Sequence, residues 1–239
     1  MEKAQTIIDT VEMLKREMDD ISQMRKGKLI VGSLPITGSH ILPLVLPVFQ
    51  ERYPEIEIQL VEETTANLES LTANGETDIC LLSLPIDEPT LTYETLIEEE
   101  ICLAVPPTHR LASHRTKQNG HIRITEVKDE PFIVLKKGQG FRQIALDLCR
   151  QAGFEPHIVF ESSNIETVQS LVAAGMGIAF VPQMVTRHSG PSSPVYLSLA
   201  EPRPTRTLVI AYRKNRYLSK AAEAFIETIN AVVGHPHSR

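Results

Sequence analysis

The constraint that decides most about this chain is the run from Lys28 to Ser83, where strand-like segments alternate with helix-like ones. Leu29-Ile30-Val31 is apolar at successive positions, as a strand covered on both faces requires. A polar loop at residues 32–39 follows, and then a helix to about Arg52. Ser39 is its expected cap, with Pro43 in the first turn. Pro47 would then be interior and should kink the helix or weaken it by up to ~3 kcal/mol. Ile56, Ile58 and Leu60 alternate with Glu57 and Gln59, predicting a strand with one wet face. A short helix at about residues 66–73 is stopped by Asn74-Gly75, and Asp78-Ile79-Cys80-Leu81-Leu82-Ser83 is the next buried strand. Strand, helix, strand, helix, strand makes a parallel sheet with right-handed crossovers. The loop at residues 32–39 lies where a strand hands over to a helix N-terminus, a junction that offers free N–H groups to a small anion.

The remaining chain repeats this alternation. Residues 101–105 form an apolar strand ended by Pro106-Pro107, and Phe132-Ile133-Val134-Leu135 is another. Lys136-Lys137-Gly138-Gln139-Gly140-Phe141-Arg142 is a second strand-to-helix junction, leading into a helix to about Ala152. Ile158 and Phe160 lie on a strand, Ser163-Asn164-Ile165-Glu166 reads as a capping box, and residues 178–181 form a strand closed by Pro182. Pro202 and Pro204 mark a connector before a strand at residues 208–212 and a final helix capped by Ser219. At the other end, Ala4, Ile7, Val11, Leu14, Met18 and Ile21 recur at spacings of three and four. That seam reads as a dimerising linker helix, or as a helix packed on its own domain.

A length of 239 residues is enough for two lobes. The net charge of −6 argues against a nucleic-acid surface on these residues. No apolar run approaches a membrane span, and the charged N-terminus has no signal-peptide apolar core, so a cytoplasmic protein is expected. Three cysteines without motif spacing fit reduced, buried thiols.

Four segments together resemble the effector-binding region of LysR-type transcriptional regulators. They are the opening stretch with KLIVG and ILPLVLPVFQERYPEIEIQL, then Gly75-Glu76-Thr77-Asp78-Ile79, then AVPPTHRLA from Ala104, and LVAAGMGIAFVP from Leu171. The resemblance runs over about residues 4–233. It implies an α/β fold of two Rossmann-like lobes joined by two crossover strands, like type 2 periplasmic binding proteins, preceded by a linker helix. Residues 1–26 would be that helix, residues 27–101 and 205–233 lobe I, residues 102–204 lobe II, and residues 234–239 a disordered tail. Family members begin with a winged helix-turn-helix domain, and no such segment is present here, so DNA would be reached only through an absent N-terminal domain. The family assembles as homodimers or homotetramers, with the first helix of one lobe I on the lobe II helix of a partner. Here these would be residues 39–52 and 141–152.

The resemblance also implies a small effector between the lobes, lined by Ser33, Pro35, Ile36, Thr37, Ser83, Gly140, Phe141 and Arg142. These groups lie at carboxyl ends of strands, where ligands of open α/β sheets sit. The three hydroxyls suit a polar ligand, and the planar fork of Arg142 suits a carboxylate. Capping and turn chemistry for the hydroxyls, and a surface ion pair for Arg142, are the plainer alternatives. A small organic anion, a carboxylate metabolite, is therefore the expected effector. No cofactor, metal or catalytic group is expected: His109, His114 and His121 have no ligand-set spacing, and no nucleophile elbow, zincin or Walker motif occurs. Glu98-Glu99-Glu100 reads as solvated. Arg203 and Arg206 flank the second crossover, where they either sense closure of the cleft or, more commonly for such residues, are solvated. Cys149 is taken as the only cysteine of lobe II, which argues against the paired-thiol switch of the family's peroxide sensors. A stand-alone solute receptor of the same fold, and after it a dehydratase-like enzyme, are the competing functions.

Overall fold

A computed structural model describes residues 27–116, 121–187 and 193–234. The expected linker helix and the tail after Gly234 lie outside the described residues. The chain divides into two compact units. The first takes the described residues up to Ile97 and from Leu208 onward, and the second is Glu98–Thr207. Both divisions fall inside continuous strands, β4 (Leu91–Val105) and β9 (Thr205–Arg213), so the chain passes between units on two crossover strands. Two α/β units joined in this way are the fold class expected from the sequence. The expected lobe edges at residues 101 and 205 lie in or at the edge of the same strands.

In the first unit β1 (Gly27–Ser33) pairs in parallel with β2 (Ile56–Glu62) on one side and β3 (Ile79–Ser83) on the other. The antiparallel β9 completes the order β2-β1-β3-β9. β1 and β3 carry Leu29, Val31, Ile79, Leu81 and Leu82 at 0% exposure, which explains their unbroken apolar runs. β2 is the outer strand, and there the alternation fades: Ile56 is buried but Leu60 is 45% exposed. α1 (Pro35–Arg52) packs on α5 (Lys220–Val233) through Phe49 and Phe225, whose rings meet edge-on with centroids 5.2 Å apart. Each fully buried ring contributes about 1.5–3 kcal/mol of transfer free energy. α2 (Thr65–Asn74) sets Leu68 into the sheet and ends on Gly75, whose φ of 78° is the left-handed cap that glycine adopts without a Cβ penalty.

α1 does not start where the sequence suggested. It begins at Pro35, with Leu34 as N-cap, and Ser39 Oγ instead donates back to Ile36 O at 3.1 Å. The reason is Pro35 itself, which has no N–H to lose at the first helical position and a φ already set for the helix. Pro43 and Pro47 are consequently both interior.

In the second unit β4 pairs antiparallel with β7 (Ala179–Pro182) and β8 (Val195–Ser198). β5 (Pro131–Leu135) pairs in parallel with β6 (His157–Ser162) and bridges to Ile178. α3 (Gly140–Gln151) turns Phe141, Ala145, Leu148 and Cys149 inward, a clean three-and-four spacing. α4 (Ile165–Ala173) is capped by Asn164, which accepts from Glu166 N at 2.7 Å, rather than by a box starting at Ser163. The core is a row of rings, Phe132 lying 6.2 Å from Phe154 and 5.7 Å from Phe180. Cys102, on the second-unit part of β4, joins Cys149 in this unit, which corrects the expectation of a single cysteine there.

Candidate functional site

β1 delivers Ser33 to its carboxyl end, and the chain turns at once into α1. Gly38 makes that sharp start possible, since a Cβ there would stand 2.8 Å from Ser33 Oγ. Gly38 N is the first amide to reach back along the helix, donating to Leu34 O at 2.8 Å. The N–H groups of Ile36 and Thr37 precede any intrahelical acceptor, and Leu34 supplies no side-chain cap. This 18-residue helix therefore presents an uncapped N-terminus with partial positive charge. Ser33, 1% exposed, spends its hydroxyl on Leu34 O at 3.0 Å. Thr37 and Ser83, 0% and 5% exposed, have hydroxyls with no protein hydrogen-bond partner. A buried hydroxyl left unpaired costs about 1–3 kcal/mol, so Thr37 and Ser83 are both costly where they stand. Ser33 and Ser83 thus end the neighbouring strands β1 and β3, and Pro35, Ile36 and Thr37 form the first turn of α1, all in the first unit.

The loop before α3 turns at Gly138, with φ at 94°, and Gln139 caps α3 without a side-chain bond. Gly140 opens the helix, and Arg142 N already donates to Gln139 O at 3.0 Å. The Arg142 side chain is engaged within its own unit. Its Nη1 lies 2.8 Å from Glu161 Oε1 and donates to Leu135 O at 2.5 Å. Phe141 is 4% exposed, so its ring is a packing element and the backbone is what it has to offer a ligand. Gly140, Phe141 and Arg142 belong to the second unit, and the five first-unit residues are a separate group.

Beneath Phe141 lies a feature the sequence reading placed in solvent. Arg206 is 4% exposed and Glu99 is 7% exposed. Arg206 Nε and Nη2 both reach Glu99 Oε1, at 2.7 and 2.6 Å, and Glu99 Oε2 accepts from Met184 N at 2.8 Å. The guanidinium carbon stands 5.3 Å from the Phe141 ring centroid, a cation–π distance. Burial lowers the affinity of Arg206 for its proton, and the charge and hydrogen bond of Glu99 pull the other way. Strand alternation explains the error: Glu98 and Glu100 face out and Glu99 faces in. The usable signal was one acidic and one basic residue at matching positions on the two crossover strands. Arg203, by contrast, is on the surface, bonded to Glu100 at 2.7 Å.

Burial pushes all three thiols up, Cys80 and Cys149 to about 12 and Cys102 to about 11. Among the described residues no group of three or more His, Cys, Asp and Glu is placed to hold a metal, and no helix is long and apolar enough to cross a membrane. His109 serves its own loop, accepting from Leu111 N at 3.2 Å and meeting Glu130 at 3.3 Å.

Comparison with known proteins bears on the family and the fold. The family model described as the LysR substrate binding domain matches residues 22–234. An uncharacterized HTH-type transcriptional regulator of Bacillus subtilis, YcgK, is 41% identical over 95% of this chain and 74% of its own length. The C-terminal domain of a probable LysR family regulator from Rhodococcus sp. RHA1 superposes with a TM-score of 0.75 at 27% identity, over 86% of this chain and 99% of that one. The CcmR regulatory domain of Synechocystis PCC6803, in complex with 2-PG, gives a TM-score of 0.78 at 25% identity, over 87% and 98% of the two chains. With the family model covering nearly the whole chain and a relative above two-fifths identity, the protein belongs to the LysR substrate-binding domain family.

Proposed function

We propose that this chain senses a small organic anion, a carboxylate metabolite, for a LysR-type transcription regulator acting in the cytoplasm. The observation that carries this reading is the pair of unpartnered buried hydroxyls, Thr37 in the first turn of the uncapped helix α1 and Ser83 at the end of β3. An anion is what helix N–H groups and hydroxyl donors together favour. The residues that would contact the anion are Ser33, Pro35, Ile36, Thr37 and Ser83, together with Gly140, Phe141 and Arg142. Binding would change the balance between two conformations by its differential affinity for them. A homodimer or homotetramer would transmit that change to winged helix-turn-helix domains on DNA. The relatives named as transcriptional regulators support this over a solute receptor or an enzyme.

The test is a thermal-shift series with benzoate, citrate, 2-oxoglutarate and 2-PG as probes. An anion at a hundredfold excess over its Kd adds about 2.7 kcal/mol, which raises Tm by roughly 5–10 °C for a chain of this size. Arg142→Ala should reduce the shift at least severalfold. No shift with any anion, together with no effect of Arg142→Ala, overturns the carboxylate reading. Light scattering at micromolar concentration tests assembly, and a clean monomer overturns it.

A further inference from the structure

The Glu99–Arg206 pair has more joints than a structural ion pair needs. Glu99 is the second residue of the second unit, on β4, and Arg206 is its last residue but one, on β9. The pair therefore stands beside both points where the chain changes units. Glu99 also holds Met184 N, the start of the 3₁₀ turn Gln183–Arg187 that follows β7. Arg206 closes the cluster by laying its guanidinium against Phe141 and placing Nη2 3.3 Å from Met184 Sδ. Four elements, β4, β9, the turn after β7 and the first turn of α3, meet on one buried pair.

We infer that Arg206 is a positioning residue: through the Phe141 ring it fixes the N-terminal turn of α3, and through Glu99 it ties that turn to both crossover strands. The argument is chemical. A buried ion pair is an expensive way to fill a core, since apolar residues of similar volume do as well or better for stability. What it adds is direction. Both guanidinium nitrogens converge on one carboxylate oxygen, the other oxygen is held by a backbone amide, and the flat face is left for the ring. That arrangement fixes Phe141, and with it the amides of Gly140 and Arg142 on either side. Lysine has the charge but neither the fork nor the flat face.

The functional weight of this inference rests on reading the α3 N-terminus as part of the effector site, but its test does not. Amide hydrogen exchange is followed in the free full chain. Ile144 and Ala145 report the first bonded turn of α3, and Val168 and Val172 of α4 report the same unit elsewhere. In Glu99→Leu/Arg206→Met, which leaves no buried charge, Ile144 and Ala145 should exchange roughly tenfold faster while the α4 amides stay within about threefold. In Arg206→Lys, which keeps a charge for Glu99 and guards against a misfolded double variant, the α3 amides should also speed up. Wild-type α3 exchange in either variant, or a parallel rise in α3 and α4, overturns the positioning role. A protein that passes this test yet shows no anion-induced thermal shift overturns the effector reading alone. One that fails it yet shifts with an anion overturns Arg206 alone.

Discussion

The two strand-to-helix junctions answer the same problem in opposite ways. At the end of β1 the helix starts uncapped, and Thr37 and Ser83 keep hydroxyls that nothing in the protein satisfies. At the end of β5 the polar groups are already engaged: Arg142 with Glu161 and Leu135 O, and Arg206 with Glu99 behind Phe141. The first junction carries a deficit of hydrogen bonds, with the Glu62 carboxylate beside its first helical turn. The second carries charge but no deficit. An unsatisfied donor gains a full hydrogen bond from a ligand, whereas a paired arginine must first give one up. A polar ligand at the first junction would therefore gain hydrogen bonds outright, whereas one at the second would have to displace bonds already made.

The largest test of that contrast is removal of Glu99. Glu99→Ala should lower the unfolding free energy by about 3–5 kcal/mol in urea denaturation, because it strands a buried guanidinium. Glu99→Leu with Arg206→Met should return stability to within about 1 kcal/mol of the parent, or above it. If the single variant costs as little as a surface pair, about 1 kcal/mol or less, the second junction is not held by a buried charge and the contrast fails.

The contrast also shows what a sequence can and cannot disclose. Both junctions were legible, because apolar strands ending in Gly, Ser or Lys-Lys-Gly before a helical pattern are local signals. So were the Gly75 and Ser219 helix ends, which the structure keeps. The start of α1 was misplaced because Ser39 and Pro35 are both good N-terminal residues, and four residues separate them. Glu99 and Arg206 were missed for a different reason. They are 107 residues apart, and nothing local says that one glutamate of three points inward toward one arginine of two. The missing bonds of Thr37 and Ser83 were likewise unreadable, since an orphaned hydroxyl is a property of tertiary surroundings.

The first junction is tested by removing its deficit. Thr37→Val keeps the shape and deletes the unpaired hydroxyl, so it should stabilise the free protein by about 1 kcal/mol, or roughly 2–4 °C in Tm. The same variant should abolish most of any anion-induced shift. Ser83→Ala should act in the same direction with a smaller gain. A lower melting temperature for Thr37→Val would mean that its hydroxyl is satisfied in solution, and the two junctions would then no longer differ in kind.

The smallest effect concerns the thiols, one in the first unit and two in the second: Cys80 on β3, Cys149 on α3, and Cys102 on β4. All are buried and free, and burial raises each pKa, to about 12, 12 and 11. The thiolate is the reactive form, so at neutral pH the folded protein should present almost none of it. Mass spectrometry after dilute hydrogen peroxide should show three unmodified cysteines in the native protein and oxidation only after unfolding. The pH dependence follows in sign. From an ordinary value of 9.0 upward the unfolded chain loses thiol protons that the folded chain keeps, so the unfolded state binds fewer protons and stability falls with rising pH. That contribution is fully present below about pH 9 and is lost as pH climbs toward 11–12. Cys80→Ala and Cys149→Ala should each flatten part of this alkaline slope. If Cys149→Ala flattens it and Cys80→Ala does not, the core of the first unit is wetter than that of the second. Water reaching that core could then supply the bonds that Thr37 and Ser83 lack.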